Sequence, residues 1–270
     1  VSTEEDSAMS NTTNVESARF LTQSSARVRV LELLDEHGSL RKRDLRDAID
    51  ASRVTVRRNV NALEDHDLIA VTGRRCEITA LGEIIVEDVL PALETANVVD
   101  RLRPLVRWIP EDELDFDLRA LSDARIVVST PTDPYGPIDR HISAIETADR
   151  CRLLLPAIGI QPMAVARDRL VDDEAVHELV VSEAVAATLD SRRTYRNLVD
   201  EMADSGNYEL YCTDREVPFY LGVFEEQVQI GVTDDDGQPR ALAEADAGVV
   251  REWAERTYEE YRTHAEPCSL

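Results

Sequence analysis

Between residues 52 and 63 the chain reads Ser-Arg-Val-Thr-Val-Arg-Arg-Asn-Val-Asn-Ala-Leu, with Val56, Val60 and Leu63 at i, i+4 and i+7. That spacing is the buried stripe of an α-helix. At about 100° per residue it turns Thr55, Arg57, Arg58 and Asn61 away from the stripe. Such a helix needs a small core beneath it, and the flanking sequence supplies one. Phe20, Leu21, Val28, Leu31 and Leu34 recur with helical spacing, and Gly38 ends that run. Ser39 suits an N-cap for a second helix over 40–49, with Leu45, Ala48 and Ile49 facing inward. Asp50-Ala51 is a turn, and Ser52 caps the third helix, which runs to about Asp65. A strand over 68–71, a tip at Gly73-Arg74-Arg75 and a returning strand over 76–79 complete the segment. Three helices followed by a hairpin is the winged helix-turn-helix order.

The residues on the free face are types that read DNA: Arg meets guanine, Asn meets adenine, and Thr meets a thymine methyl or a phosphate. Ser52 and Arg53, at the positive end of the third helix, suit phosphate contacts. Arg41, Lys42 and Arg43 open the second helix, which crosses the DNA backbone in this motif. Arg74 and Arg75 suit a minor-groove or phosphate contact at the tip.

In most proteins a basic helix face is only a solvated face. Here the charge distribution argues otherwise. The formal net charge is −24, yet residues 19–75 hold twelve Arg/Lys against nine Asp/Glu, a balance of +3. The rest of the chain holds 18 basic and 45 acidic residues, a balance of −27. One segment has escaped the acidity that covers everything else, and a surface that approaches phosphates must do so. Lys42 is the only lysine. A lysine-poor, arginine-retaining, carboxylate-rich surface resembles those of proteins from extreme halophiles, so the acidity describes the solvent rather than the partner.

Residues 80–103 read as a long periodic helix through Leu81, Ile84, Ile85, Val89, Leu93 and Ala96, expected to pair with a second copy or to link to the next domain. Pro104 and Pro110 are expected to end it and mark a linker. Beyond residue 118, strands over 125–128, 151–155 and 176–181 alternate with helices over 138–148, 159–170 and 183–203. Strands over 208–213, 219–224, 228–232 and 240–243 follow, and a helix over 247–264 closes the chain. The fold class is therefore α+β or α/β: an N-terminal winged helix and a C-terminal α/β domain with a mixed sheet. The expected division is an acidic disordered tail (1–18), the winged helix (19–79), a dimerisation helix and linker (80–117), an effector domain (118–265) and a short tail (266–270). Met9 is as good a start as Val1.

Cys76, Cys151, Cys212 and Cys268 make no Cys-x-x-Cys pair, so neither a zinc site nor a disulfide framework is indicated. Cys76, in the wing, is the one thiol with a case for redox sensing. No stretch approaches the ~20 apolar residues of a membrane span, and the polar N-terminus is not a secretory signal. A cytoplasmic protein without membrane contact is expected, and no cofactor is indicated.

Residues 26–69 resemble the winged-helix domain of many archaeal regulators, in the paired leucines of the first helix and the Ser-Arg-x-Thr-Val start of the third. The C-terminal half resembles the effector domain of the methanogenesis-regulator (filament-regulator) type. The resemblance rests on Val217-Pro218-Phe219-Tyr220-Leu221-Gly222-Val223, Gln229-Ile230-Gly231-Val232, Asp236-Gly237, and the run from Glu252-Trp253 to Tyr261-Arg262. It implies a dimeric regulator of double-stranded DNA whose C-terminal domain binds a signal or mediates contacts. It also implies a phospholipase-D-like fold. That chemistry needs a His-x-Lys pair, and none of His37, His66, His141, His177 and His264 is followed by x-Lys. No nucleotide-binding or hydrolase motif is present either, so the chain is not expected to be an enzyme. Polar and aromatic residues cluster at Tyr211, Arg215, Pro218 and Tyr220, the expected mouth of a pocket for an unidentified small-molecule effector. The competing reading is a protein-interaction module that docks on the transcription machinery and senses nothing.

Overall fold

The computed structural model describes residues 18–110, 112–172 and 175–268. Met9 and all of the expected acidic tail but Ala18 lie outside them. The chain divides into two compact units between Asn97 and Val98.

In the N-terminal unit the helices are α1 (Ser25–His37), α2 (Lys42–Ala48) and α3 (Arg53–Asp65), and the strands are β1 (Ser39–Arg41), β2 (Ile69–Thr72) and β3 (Arg75–Ile78). Gly38 takes the left-handed φ of 72° that ends α1, and the chain then enters β1. The second helix therefore starts at Lys42 rather than at 40. Residues 39–41 are drawn into a three-stranded antiparallel sheet of order β1-β3-β2, with Arg41 opposite Arg75. A three-residue strand carries no detectable period, which is why the sequence reads it as part of the helix. Ser52 caps α3: its Oγ accepts a hydrogen bond from the Thr55 N–H at 3.2 Å. Leu31, Leu34, Leu45, Val56, Val60, Leu63 and Ile69 form the core with Cys76.

Helix α4 (Ala80–Ile84) leads through a π-helical turn (Ile85–Val89) into α5 (Leu90–Val106). This run keeps the expected period but does not stop at Pro104, which sits inside α5. Pro104 lacks the N–H that would bond the Asp100 carbonyl, but only Leu105 and Val106 follow it, so the loss is confined to the end of the helix. The stretch expected as a linker is packed instead: Leu105 and Ile109 are buried in the C-terminal core.

The C-terminal unit is built on strands β4 (Arg125–Val128), β5 (Arg150–Leu155), β6 (Val176–Ser182), β7 (Tyr208–Thr213), β8 (Tyr220–Phe224), β9 (Val228–Thr233), β10 (Pro239–Ala245) and β11 (Ala265–Pro267). They form one eight-stranded sheet, order β11-β7-β6-β5-β8-β9-β10-β4. The β5, β6 and β7 strands are parallel, as crossover helices require; the other pairings are antiparallel. The sheet is mixed, as its sequence pattern predicts. Helices α6 (Gly136–Thr147), α7 (Ile160–Asp172), α8 (Glu183–Ser191) and α9 (Arg193–Asp204) connect these strands, and α10 (Gly248–Thr263) closes the unit. Leu153, Cys151 and Phe224 point to the α6 side of the sheet. Leu154, Leu221, Val223, Ile230 and Ala243 point to the α10 side, where Trp253 and Tyr258 are fully packed.

Two further expectations need correction. The helix over 183–203 is broken at Arg192, which has extended backbone angles between α8 and α9. Cys212 and Cys268 are joined as a disulfide, with Cα atoms 5.3 Å apart. They are 56 residues apart in sequence, so only the pairing of β11 with β7, invisible beforehand, brings them together. The expected tail over 266–270 accordingly begins as a strand.

Candidate nucleic-acid interface and effector cavity

The stripe of Val56, Val60 and Leu63 is buried against α1 and β2, joined by Asn59, whose amide donates to the Thr55 carbonyl at 3.1 Å. This fixes the rotation of α3. Ser52, Arg53, Arg57, Arg58 and Asn61 are exposed and Thr55 half-buried. The side chains of Ser52 and Thr55 lie 2.9 Å apart at the helix start, the positive end of the helix dipole. Arg58 faces Arg27 of α1, and burial together with this neighbouring charge holds the Arg27 guanidinium below its usual range. Arg27 was not singled out from the sequence.

The second basic group sits where β1 meets β3. Arg41 lies on β1, opposite Arg75 on β3, and the Lys42 N–H donates to the Arg74 carbonyl at 3.0 Å. The structure thus brings together Arg41-Lys42-Arg43 and Arg74-Arg75, which are far apart in sequence. Their charges are not equally available. Arg41 and Arg43 share Asp44, at 2.8 and 3.7 Å, and the Arg41 hydrogen bond holds the Asp44 carboxyl below the usual range. Arg75 is not at the tip: its guanidinium holds the hydroxyl and carbonyl of Ser39. Among the described residues Arg53, Arg57, Arg58 and Arg74 make no ion pair, so their full charge faces solvent. Cys76 is fully buried, and burial pushes its thiol up; a thiol that is neither exposed nor ionised does not suit a redox sensor.

In the C-terminal unit a polar network lies under α6. Gln229 donates its amide N–H to Glu244 at 2.9 Å, and its carbonyl accepts from the Tyr220 hydroxyl at 3.0 Å. Nδ1 of His141 lies 3.4 Å from the same carbonyl, and Arg140 pairs with Glu244. Burial pulls His141 down to about 4, so the ring is neutral at pH 7. His177, on β6, is pulled down to about 4 by burial first and then by the charge of Arg169. The Tyr220 ring lies across two glycines: a Cβ on Gly231 would meet its ring at 2.8 Å, and one on Gly222 would meet its hydroxyl at 2.2 Å.

On one side of this network is a cavity of about 240 Å³ lined by residues of α6, α7, β5, β8, β9 and β10, including His141 and Tyr220. On the other is an open cleft of about 790 Å³ whose lining holds six carboxylates, with Arg125 and Arg140.

Residues 134–264 match the family described as methanogenesis regulatory protein FilR1, middle domain. Over these residues the C-terminal unit is similar to a FilR1 middle domain. Residues 15–101 match a second family, described as the HVO_A0261 N-terminal domain. No curated protein matches the chain. Solved structures similar to it include TrmBL2, an archaeal chromatin protein, at 13% identity over 93% of this chain and 98% of that one, with a TM-score of 0.43. Another is Nuc, a phospholipase D family member from Salmonella typhimurium, at 12% identity over 54% of this chain and 99% of that one, TM-score 0.43. NucT from Helicobacter pylori is similar at 8% identity over 54% and 98%, TM-score 0.43.

Within the C-terminal unit the four residues expected at a pocket mouth do not converge. Tyr211 and Arg215 lie towards α10, where Arg262 stacks on Tyr211 and Arg215 pairs with Glu260 at 2.9 Å. Tyr220 points to the opposite face and lines the cavity, while Pro218 lies before β8, outside the cavity lining. Sequence reasoning missed His141, Gln229 and Glu244. A signal was present: Tyr220, Gly222, Gln229 and Gly231 alternate along two strands, so all four share one face. Asp234, in the acidic run 234–236, accepts hydrogen bonds from two turn N–H groups and pairs with Arg240. It serves the turn.

Proposed function

We propose that the protein is a DNA-binding transcription regulator whose FilR1-type domain is an effector domain. The observation that carries the reading is the face of α3. In a chain of net charge −24, Arg53, Arg57 and Arg58 stand exposed, without acidic partners among the described residues, beside Asn61 on a helix locked by its buried stripe. In the proposed complex α3 enters the major groove, with Arg57, Arg58 and Asn61 on base edges. Ser52, Arg53 and Thr55 take phosphates at the helix start. Arg74 is the contact at the wing, with Arg41, Lys42, Arg43 and Arg75 alongside it on the DNA backbone.

A homodimer belongs to the same reading. Leu81 and Ile84 are more than half exposed at the start of the helical run that follows the hairpin, an apolar display that a second copy would cover. Two copies would read a palindromic site.

The test is a map of DNA bound across the genome in the native host, comparing wild type with an Arg57→Ala/Arg58→Ala double variant. Both side chains are exposed, so the variant keeps its fold, which circular dichroism checks. Discrete peaks lost in the variant are expected. Peaks that survive it would place recognition elsewhere, and an absence of peaks with folded wild-type protein would favour the interaction-module reading.

A further inference from the structure

We infer that the 240 Å³ cavity of the FilR1-type domain is a binding site for a small, uncharged, largely apolar molecule that carries one N–H or O–H donor. The inference rests on the effector-domain reading and names the ligand chemistry. Its first support is the lining. Among the described residues no Asp, Glu, Lys or Arg lines this cavity, although 31% of the chain is charged. Ile138, Ile145, Leu153, Leu155, Met163 and Leu242 supply an aliphatic wall, against which an ion would be stranded without a partner. The adjoining cleft, lined by Asp123, Asp149, Glu225 and Glu226, shows what this chain does with surface it leaves to solvent.

The second support is a chain of hydrogen bonds that fixes the one polar handle. A carboxylate only accepts, so the amide nitrogen of Gln229 faces Glu244 and its oxygen faces Tyr220 and His141. That oxygen also only accepts. His141 therefore carries its proton on Nδ1, and its Nε2 is left with a lone pair. Nothing among the described residues bonds to Nε2. The Tyr220 hydroxyl spends its one proton on Gln229 and has none to donate to a ligand, and His141 Nε2 is the ring nitrogen left to receive a donor from one. Arg140 and Glu244 anchor the amide from the far side and hold this tautomer in place.

Size narrows the class. Benzene fills an engineered cavity of about 150 Å³, so about 240 Å³ suits a bicyclic aromatic or a branched hydrocarbon of similar bulk. Ala157 and Gly237 are the exposed members of the lining and form the mouth.

Indole and indene are a matched pair of probes, alike in shape, of which only indole has an N–H donor. Titration calorimetry of the full chain without DNA is expected to show saturable one-site binding of indole, with indene at least about tenfold weaker. His141→Phe, which keeps the ring and removes the acceptor, should bring the two probes level. Ala166→Leu, which fills the cavity from α7, should abolish binding of both; its melting curve checks that it folds. Lack of indole binding by folded wild type would overturn the inference, as would equal affinity for both probes or unchanged binding in Ala166→Leu. Because no DNA is present, failure here leaves the DNA map untouched, and failure of the map leaves this assignment standing.

Discussion

At the scale of single residues, the two buried histidines of the C-terminal unit have a consequence for pH. His141 and His177 are both held at about 4 when folded, whereas an unfolded histidine titrates near 6.5. Between those values the unfolded chain binds more protons than the folded one, so stability rises with pH across that window. The contribution is fully present above about pH 6.5 and is lost as pH falls towards about 4. His177 adds strain of its own, since both ring nitrogens are buried without a hydrogen-bond partner among the described residues. We expect the melting temperature of the C-terminal unit to fall by several degrees from about pH 7.5 to about pH 5. His141→Asn/His177→Asn should flatten that dependence. A double variant with the wild-type pH slope would show that other groups govern it.

Elements are held to each other by a few close approaches, and Gly82 in α4 is the tightest of the glycine positions in the N-terminal unit. A Cβ there would lie 2.1 Å from the Leu68 carbonyl oxygen and 2.6 Å from the Ile78 side chain. The cap at Thr79, which donates to the Asp67 carbonyl and accepts from the Gly82 N–H, seats the helix on the hairpin. Gly82→Ala should therefore destabilise the N-terminal unit by roughly 1–3 kcal/mol through overpacking, although alanine is the better helix former. Chemical denaturation checks this, and a stabilised variant would refute the contact. This glycine also marks the limit of sequence reading. The stripe of α3, the capping serine and most strands were legible because period and cap are local properties. Gly82, the β1 strand and the Cys212–Cys268 pair were not, because each depends on which distant segment folds against it. Likewise Tyr220 was found as a polar aromatic near a turn, but its partners Gln229, Glu244 and His141 come from three other elements.

For the whole molecule, the division of charge sets how it meets DNA. A protein contacting several phosphates normally loses affinity steeply with salt as counterions are released. Here a segment of +3 is joined to a remainder of −27, and in the proposed complex those carboxylates take up cations as the duplex approaches. The expected dependence of affinity on potassium chloride is shallow or even reversed. A steep negative slope in an anisotropy titration would remove the case for a halophilic surface and leave the acidity to be explained by a partner. The sheet of the C-terminal unit has a separate vulnerability. Its β7 strand is shielded by β11, a strand of three residues fastened by the Cys212–Cys268 bond. Trimming the chain before Ala265 would uncover a row of unpaired backbone amides able to recruit a strand from another molecule. Strand β11 thus acts as a hem along β7, keeping that strand from pairing with a neighbour.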